Sequence, residues 1–132
     1  MKQAITSHKD LRVWRKSTTL ARECLAAVST FPESATRLGA QIRRKAESVS
    51  YEIERGYQFQ QLAPYLHHLN RARNRVEALE PLLVEACIKT WVVDASGDRL
   101  LRRTSEIHRM LGKLIVSLQA AGQRRRRRLV TQ

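Results

Sequence analysis

Apolar residues recur at alternating intervals of three and four along most of this chain, a rhythm that places them on one face of an α-helix. Four such segments stand between breaker signals. The first carries Leu11, Trp14, Thr18, Ala21, Leu25 and Val28, and it stops at Phe31-Pro32 because proline pushes its predecessor out of the helical region. Ser7, with Asp10 three residues on, resembles a capping box for its start. The second runs from Ser34, a plausible N-cap, to Tyr57, with Ala35, Leu38, Ile42, Ala46, Val49, Ile53 and Gly56 on its seam. Gly56 either ends this helix or lets a neighbour approach closely.

The third seam reads Leu62, Tyr65, Leu69, Ala72, Val76, Leu79, Leu83 and Ala86. Pro64 lies near its start, where a missing N–H costs little, and Pro81 predicts a kink rather than a break. Trp91-Val92-Val93 is read as the end of this helix. Ser96-Gly97-Asp98 is then a turn with Asp98 capping the fourth segment, which holds Leu100, Thr104, Ile107, Leu111, Leu114, Leu118 and Ala121 and stops at Gly122. Few aromatics, 5% of residues, with five Gly and three Pro, disfavour a β-sandwich or barrel. The expected architecture is an all-α, antiparallel up-down-up-down four-helix bundle. Residues 1–8 form an N-terminal extension, 9–122 the bundle and 123–132 an arginine-rich tail, disordered because its like charges repel.

Met110, Ile115, Leu66, Leu82, Val84 and Trp91 to Val93 are apolar beyond one stripe per helix. They fit either a second buried face, used for oligomerisation, or a wide core stripe.

Charge gives the functional direction. Twenty-five basic residues face 12 acidic ones, for a net +13 and a pI of about 11.0. Nineteen of the 25 are arginine, the fork-shaped phosphate binder. Residues 61–94 sum to zero, whereas 95–132 carry ten basic and two acidic groups, a net +8. Arg12, Arg15, Lys16 and Arg22 on the first helix are expected opposite its seam, as are Arg99, Arg102, Arg103 and Arg109 on the fourth, with Lys113 adding to the excess charge. Because these helices neighbour each other in such a bundle, their stripes are expected to merge into one basic wall. Arg43, Arg44 and Lys45, with Arg124, Arg125, Arg126, Arg127 and Arg128, complete the candidate RNA- or DNA-binding residues. They grip phosphate, and no motif announces base readout.

Catalytic signatures are missing: no glycine-rich phosphate loop, no His-Glu-x-x-His and no Gly-x-Ser-x-Gly, so a non-enzyme without cofactor is expected. His67 and His68 diverge by about 100° on a helix and do not chelate one metal easily. His67 with Arg71 reads as a solvated or phosphate-facing surface, and His108 lacks the Glu three residues earlier that a di-iron bundle needs. Glu52 and Glu54, beside Arg55, read as surface charge. Cys24 and Cys87 suit buried reduced thiols in a cytoplasmic setting. No run approaches the ~18 apolar residues of a membrane span, and the N-terminus lacks the apolar stretch of a signal peptide.

Five motifs occur in order: Asp10-Leu11-x-Val13-Trp14, Phe31-Pro32-Glu33, Leu38-x-x-Gln41-Ile42-Arg43-Arg44-x-Ala46-x-Ser48-Val49, Ile53-x-x-Gly56-Tyr57 and Leu69-x-x-Ala72-Arg73. Together they resemble the four-helix-bundle family encoded in intervening sequences of large-subunit ribosomal RNA, over residues 9–120. That family includes the accessory variability determinant of diversity-generating retroelements. The resemblance implies a homopentamer whose basic surface engages a reverse transcriptase and nucleic acid. Where the ribosomal inserts tend to have Asn, Ala and Glu in Ser-Ile-Pro-Ser-Asn-Ile-Ala-Glu-Gly, this chain has Glu52, Glu54 and Arg55. The departure and the arginine enrichment favour the retroelement branch. The alternative is a ribosomal-insert-type bundle acting as a structural or protein-adaptor module.

Overall fold

The computed structural model describes residues 11–131, and its regular elements are all helical: α1 (Arg12–Val28), α2 (Thr36–Tyr57), α3 (Leu62–Ile88) and α4 (Asp94–Thr131), with a 3₁₀ turn at Glu33–Ala35 before α2. Each helix packs on its sequence neighbours and α1 closes the ring against α4, while the diagonal pairs α1/α3 and α2/α4 do not meet. Neighbours run antiparallel. Gly39 at the start of α2 lies against Val28 at the end of α1, Gly56 against Tyr65 and His68, and Gly97 against Cys87. Lys16 meets Glu106 while Glu23 meets Arg99, which sets α4 antiparallel to α1. This is the expected up-down-up-down bundle.

Both central seams are where the periodicity puts them. Leu38, Ile42, Ala46, Val49, Ile53 and Gly56 of α2 are buried, as are Leu69, Ala72, Val76, Leu79, Leu83 and Ala86 of α3. α3 runs unbroken through Pro81.

α1 departs from the reading. Its buried stripe is Val13, Ser17, Leu20 and Cys24, one residue back from the expected seam, a rotation of about 100°. Leu25, expected inside, is 48% exposed. The polar member of the true stripe is satisfied locally: Ser17 Oγ donates to the Trp14 carbonyl at 2.7 Å, so its burial leaves no hydroxyl unpaired. Ser34 does not cap α2, and the Ser7/Asp10 box lies outside the described residues, with extended Leu11 preceding α1.

α3 ends earlier than expected, at Ile88. Thr90 adopts a left-handed φ of 59°, its N–H bonds the Cys87 carbonyl at 3.0 Å, and the Trp91 N–H bonds the Ala86 carbonyl at 3.0 Å. This arrangement closes the helix with a residue normally replaced by glycine. Trp91 then packs on Phe31 with ring centroids 5.9 Å apart, Val92 is buried, and Val93 is exposed.

Ser96-Gly97-Asp98 is not a turn but part of the first turns of α4, and Gly122 does not stop that helix. Both glycines permit close approach: a Cβ on Gly97 would sit 2.6 Å from Cys87 Sγ, and one on Gly122 2.5 Å from Leu62 Cδ2. Residues 123–131 continue α4 as helix where the charge block had pointed to disorder. Arginine is a good helix former, and cations in the last turns complement the helix dipole. With 38 residues against 27 in α3, α4 overhangs the bundle.

The additional apolar residues mostly join this one core. Ile115 and Val92 are buried and Leu66, Leu82, Met110 and Trp91 pack against it, whereas Val84 and Val93 are exposed. The stripe is wide, and the monomer absorbs most of what had suggested a second face.

Candidate nucleic-acid interface

Between α1 and α4 the expected wall forms in part. The α1 rotation carries Lys16 and Glu23 to the α4 side. Lys16 Nζ pairs with Glu106 at 3.3 Å, and Glu23 sits between Arg99 at 3.9 Å and Arg103 at 2.5 Å. Three of the candidate cations are therefore paired with two carboxylates, which leaves this cluster one positive charge. Arg102 and Arg109 face solvent without such partners among the described residues, and with Arg99, Arg103, Ser105 and Glu106 they line a shallow cavity of about 510 Å³. Lys113 is exposed further along α4, and Arg12 and Arg15 are exposed on α1.

The α2 cations lie elsewhere. Arg44 and Lys45 line an open groove between α2 and α3, whereas Arg43 borders a cavity on the α1 side with Val28 and Phe31. Because α2 and α4 are diagonal, these residues do not extend the α4 surface. Arg124 to Arg128 form a third site on the overhang of α4, all exposed. Successive helical residues step by about 100°, so five arginines in a row radiate around the whole circumference.

Two lining residues of the α2–α3 groove, Tyr51 and Arg75, were missed from the sequence. Arg75 belongs to a segment whose charges sum to zero, which conceals a local excess.

A polar cluster was missed altogether. Glu52, read as surface charge, is 4% exposed; its carboxylate lies 2.7 Å from His68 Nδ1 and accepts from Arg71 Nε at 3.1 Å. Burial pushes this carboxyl up, but the His68 and Arg71 hydrogen bonds and charge outweigh it and hold it below its ordinary value of 4.5. Phe59 stacks on His68 with centroids 5.5 Å apart. The signal was present: Glu52 falls three residues after Val49, at the helical spacing of the core. His68 joins Arg71 on Glu52, while His67 is exposed one helical turn before Arg71. A parallel pair joins α3 to α4, with His108 Nε2 2.8 Å from Glu77 and Arg73 alongside. Both clusters brace helices.

Burial, and secondarily Glu23, pushes the Cys24 thiol up to about 12, and burial raises Cys87 as well. No group of three or more His, Cys, Asp or Glu positioned to hold a metal occurs among the described residues, and none of their helices is long and apolar enough to cross a membrane.

Fold and surface together define an antiparallel four-helix bundle with cations on separate faces. The sequence matches the family described as 23S rRNA-intervening sequence protein over residues 9–113, and the chain belongs to that family. Among solved structures it is similar to a protein of unknown function from the S23 ribosomal protein family of Bacteroides thetaiotaomicron. The TM-score is 0.72 at 20% identity, covering 78% of this chain and 94% of that one, a likeness of fold. No curated protein matches the chain.

Proposed function

We propose that this chain is a non-enzymatic nucleic-acid-binding protein that holds RNA or DNA by its phosphates. In its finer form it is the homopentameric accessory partner of a reverse transcriptase. One observation carries the reading: exposed cations on α2, on the outer face of α4 and around its overhang exceed the carboxylates near them. Its membership of an rRNA-related family supports the choice of a nucleic-acid partner.

A salt titration of RNA and DNA binding tests it. Log affinity should fall linearly with log salt, with about 0.7 to 0.9 of slope for each phosphate neutralised. Absence of binding to either at low salt overturns the reading and favours the protein-adaptor alternative. Solution mass tests the assembly: five copies of a 15.2 kDa chain give about 76 kDa, and a monomer removes the pentamer. Co-purification with a reverse transcriptase tests the finer form.

A further inference from the structure

The α2–α3 groove differs from the other basic surfaces in being more than charged. It encloses about 740 Å³, within the range of about 300–1,000 Å³ typical of small-molecule sites. Ala78 and Leu82 give it apolar wall, and Tyr51 stands at its side 56% exposed. Arg44, Lys45 and Arg75 converge on it from two helices, and none of the three makes an ion pair among the described residues, although Glu47 also borders the groove.

We propose that this groove is a subsite for single-stranded nucleic acid, in which Tyr51 stacks a base while Arg44, Lys45 and Arg75 hold the flanking phosphates. The inference rests on the nucleic-acid reading above and gives it a place and a strand type. An acidic peptide would engage the cations but leave the tyrosine ring and apolar wall unused. A duplex would present phosphates but keep its bases inside the stack. A splayed single strand uses both halves of the site, since every base has a face to stack and stacking on an aromatic is sequence-tolerant.

The experiment uses the full chain with fluorescein-labelled oligouridylate, a duplex of the same length, and heparin as a probe of charge alone. Tyr51→Ala should weaken oligouridylate binding about 5- to 150-fold, the worth of one base–aromatic stack. Tyr51→Phe should retain it, and heparin binding should not change in either variant. Arg44→Gln with Arg75→Gln should weaken both ligands. Because Tyr51 is more than half exposed, the substitutions leave the core intact, which circular dichroism verifies. Tyr51→Ala leaving oligouridylate affinity unchanged, or reducing heparin binding equally, overturns the subsite while the phosphate-binding function stands. Oligoglutamate competing as well as oligouridylate also overturns it. Wild-type protein that binds no nucleic acid at low salt overturns the function itself.

Discussion

Glu52→Gln isolates the one nearly fully buried ionisable group that the described residues bring to the α2–α3 interface. The substitution keeps the side chain's shape and removes its charge. Glu52 holds two charge-assisted contacts, to His68 at 2.7 Å and Arg71 at 3.1 Å, and its side chain is 5% exposed. A hydrogen bond to a charged group contributes about 1.5–3 kcal/mol against about 0.5–1.5 for a neutral one, so losing the charge from both costs about 2 kcal/mol. The Arg71 side chain is 44% exposed and keeps its hydration, which holds the figure at that level rather than at the about 3–5 kcal/mol of a fully buried pair.

The assay is urea unfolding followed by far-UV circular dichroism. With a slope of about 1–3 kcal/mol per molar, the midpoint should fall by about 1 M at neutral pH. The pH dependence is the sharper half. A carboxyl held below its ordinary value in the folded state stabilises above about pH 4.5, and that stabilisation is lost as pH falls through the folded value. The two midpoints should therefore converge in acid. Equal midpoints at neutral pH, or a difference at about pH 3 as large as at pH 7, would refute the assignment of Glu52 as a charged buried brace.

Five further outcomes follow from the geometry. Thr90→Gly should raise stability by about 1 kcal/mol in the same unfolding assay, because a β-branched residue is strained at φ 59°. Gly56→Ala should destabilise by about 1–3 kcal/mol, since its Cβ would lie 2.9 Å from His68 Cβ and 3.3 Å from the Tyr65 carbonyl oxygen; Gly112→Ala, with nothing within 4 Å, should stabilise by about 0.5–1 kcal/mol. Cys24, its thiol raised to about 12, should resist an aromatic disulfide reagent at neutral pH until the protein unfolds, read as thiolate released against time. Removing residues 124–132 should lower the salt slope of RNA binding by up to about 4, from five phosphate contacts, while leaving the urea midpoint unchanged because residues 124–130 are exposed.

How much of this was legible from the chain depends on which physical quantity did the deciding. Apolar spacing fixed α2 and α3, where large aliphatic residues dominate the stripe. It misplaced α1 by one residue because half of the true stripe, Ser17 and Cys24, scores as polar or small, while Leu25 and Trp14 offer a competing period. Burial of Ser17 depends on a hydroxyl bond to its own helix, which periodicity does not weigh. The end of α3 was missed because a left-handed cap at threonine carries no composition signal. Gly97 and Gly122 were read as punctuation, yet both serve packing against Cys87 and Leu62. Glu52 escaped because its partners lie 16 and 19 residues away, on another helix.

The same rotation of α1 reshapes the electrostatic argument. A stripe of Arg and Lys opposite the seam would have joined the α4 stripe without interruption. Instead, Lys16 and Glu23 turn towards α4, and with Glu106 they build ion pairs that hold α1 to α4. Lys16, Arg99 and Arg103 thus do structural work, which leaves Arg102 and Arg109 as the solvent-facing arginines of that cavity. The other candidate cations lie on further faces: Arg12 and Arg15 on α1, Arg43 on the α1 side of α2, Arg44 and Lys45 at the α2–α3 groove, and Lys113 and Arg124 to Arg128 further along α4. A net charge of +13 on this fold is therefore spread over separate faces rather than gathered into a single continuous wall. Under the proposed function, cations on separate faces suit gathering nucleic acid by its phosphates more than reading its bases.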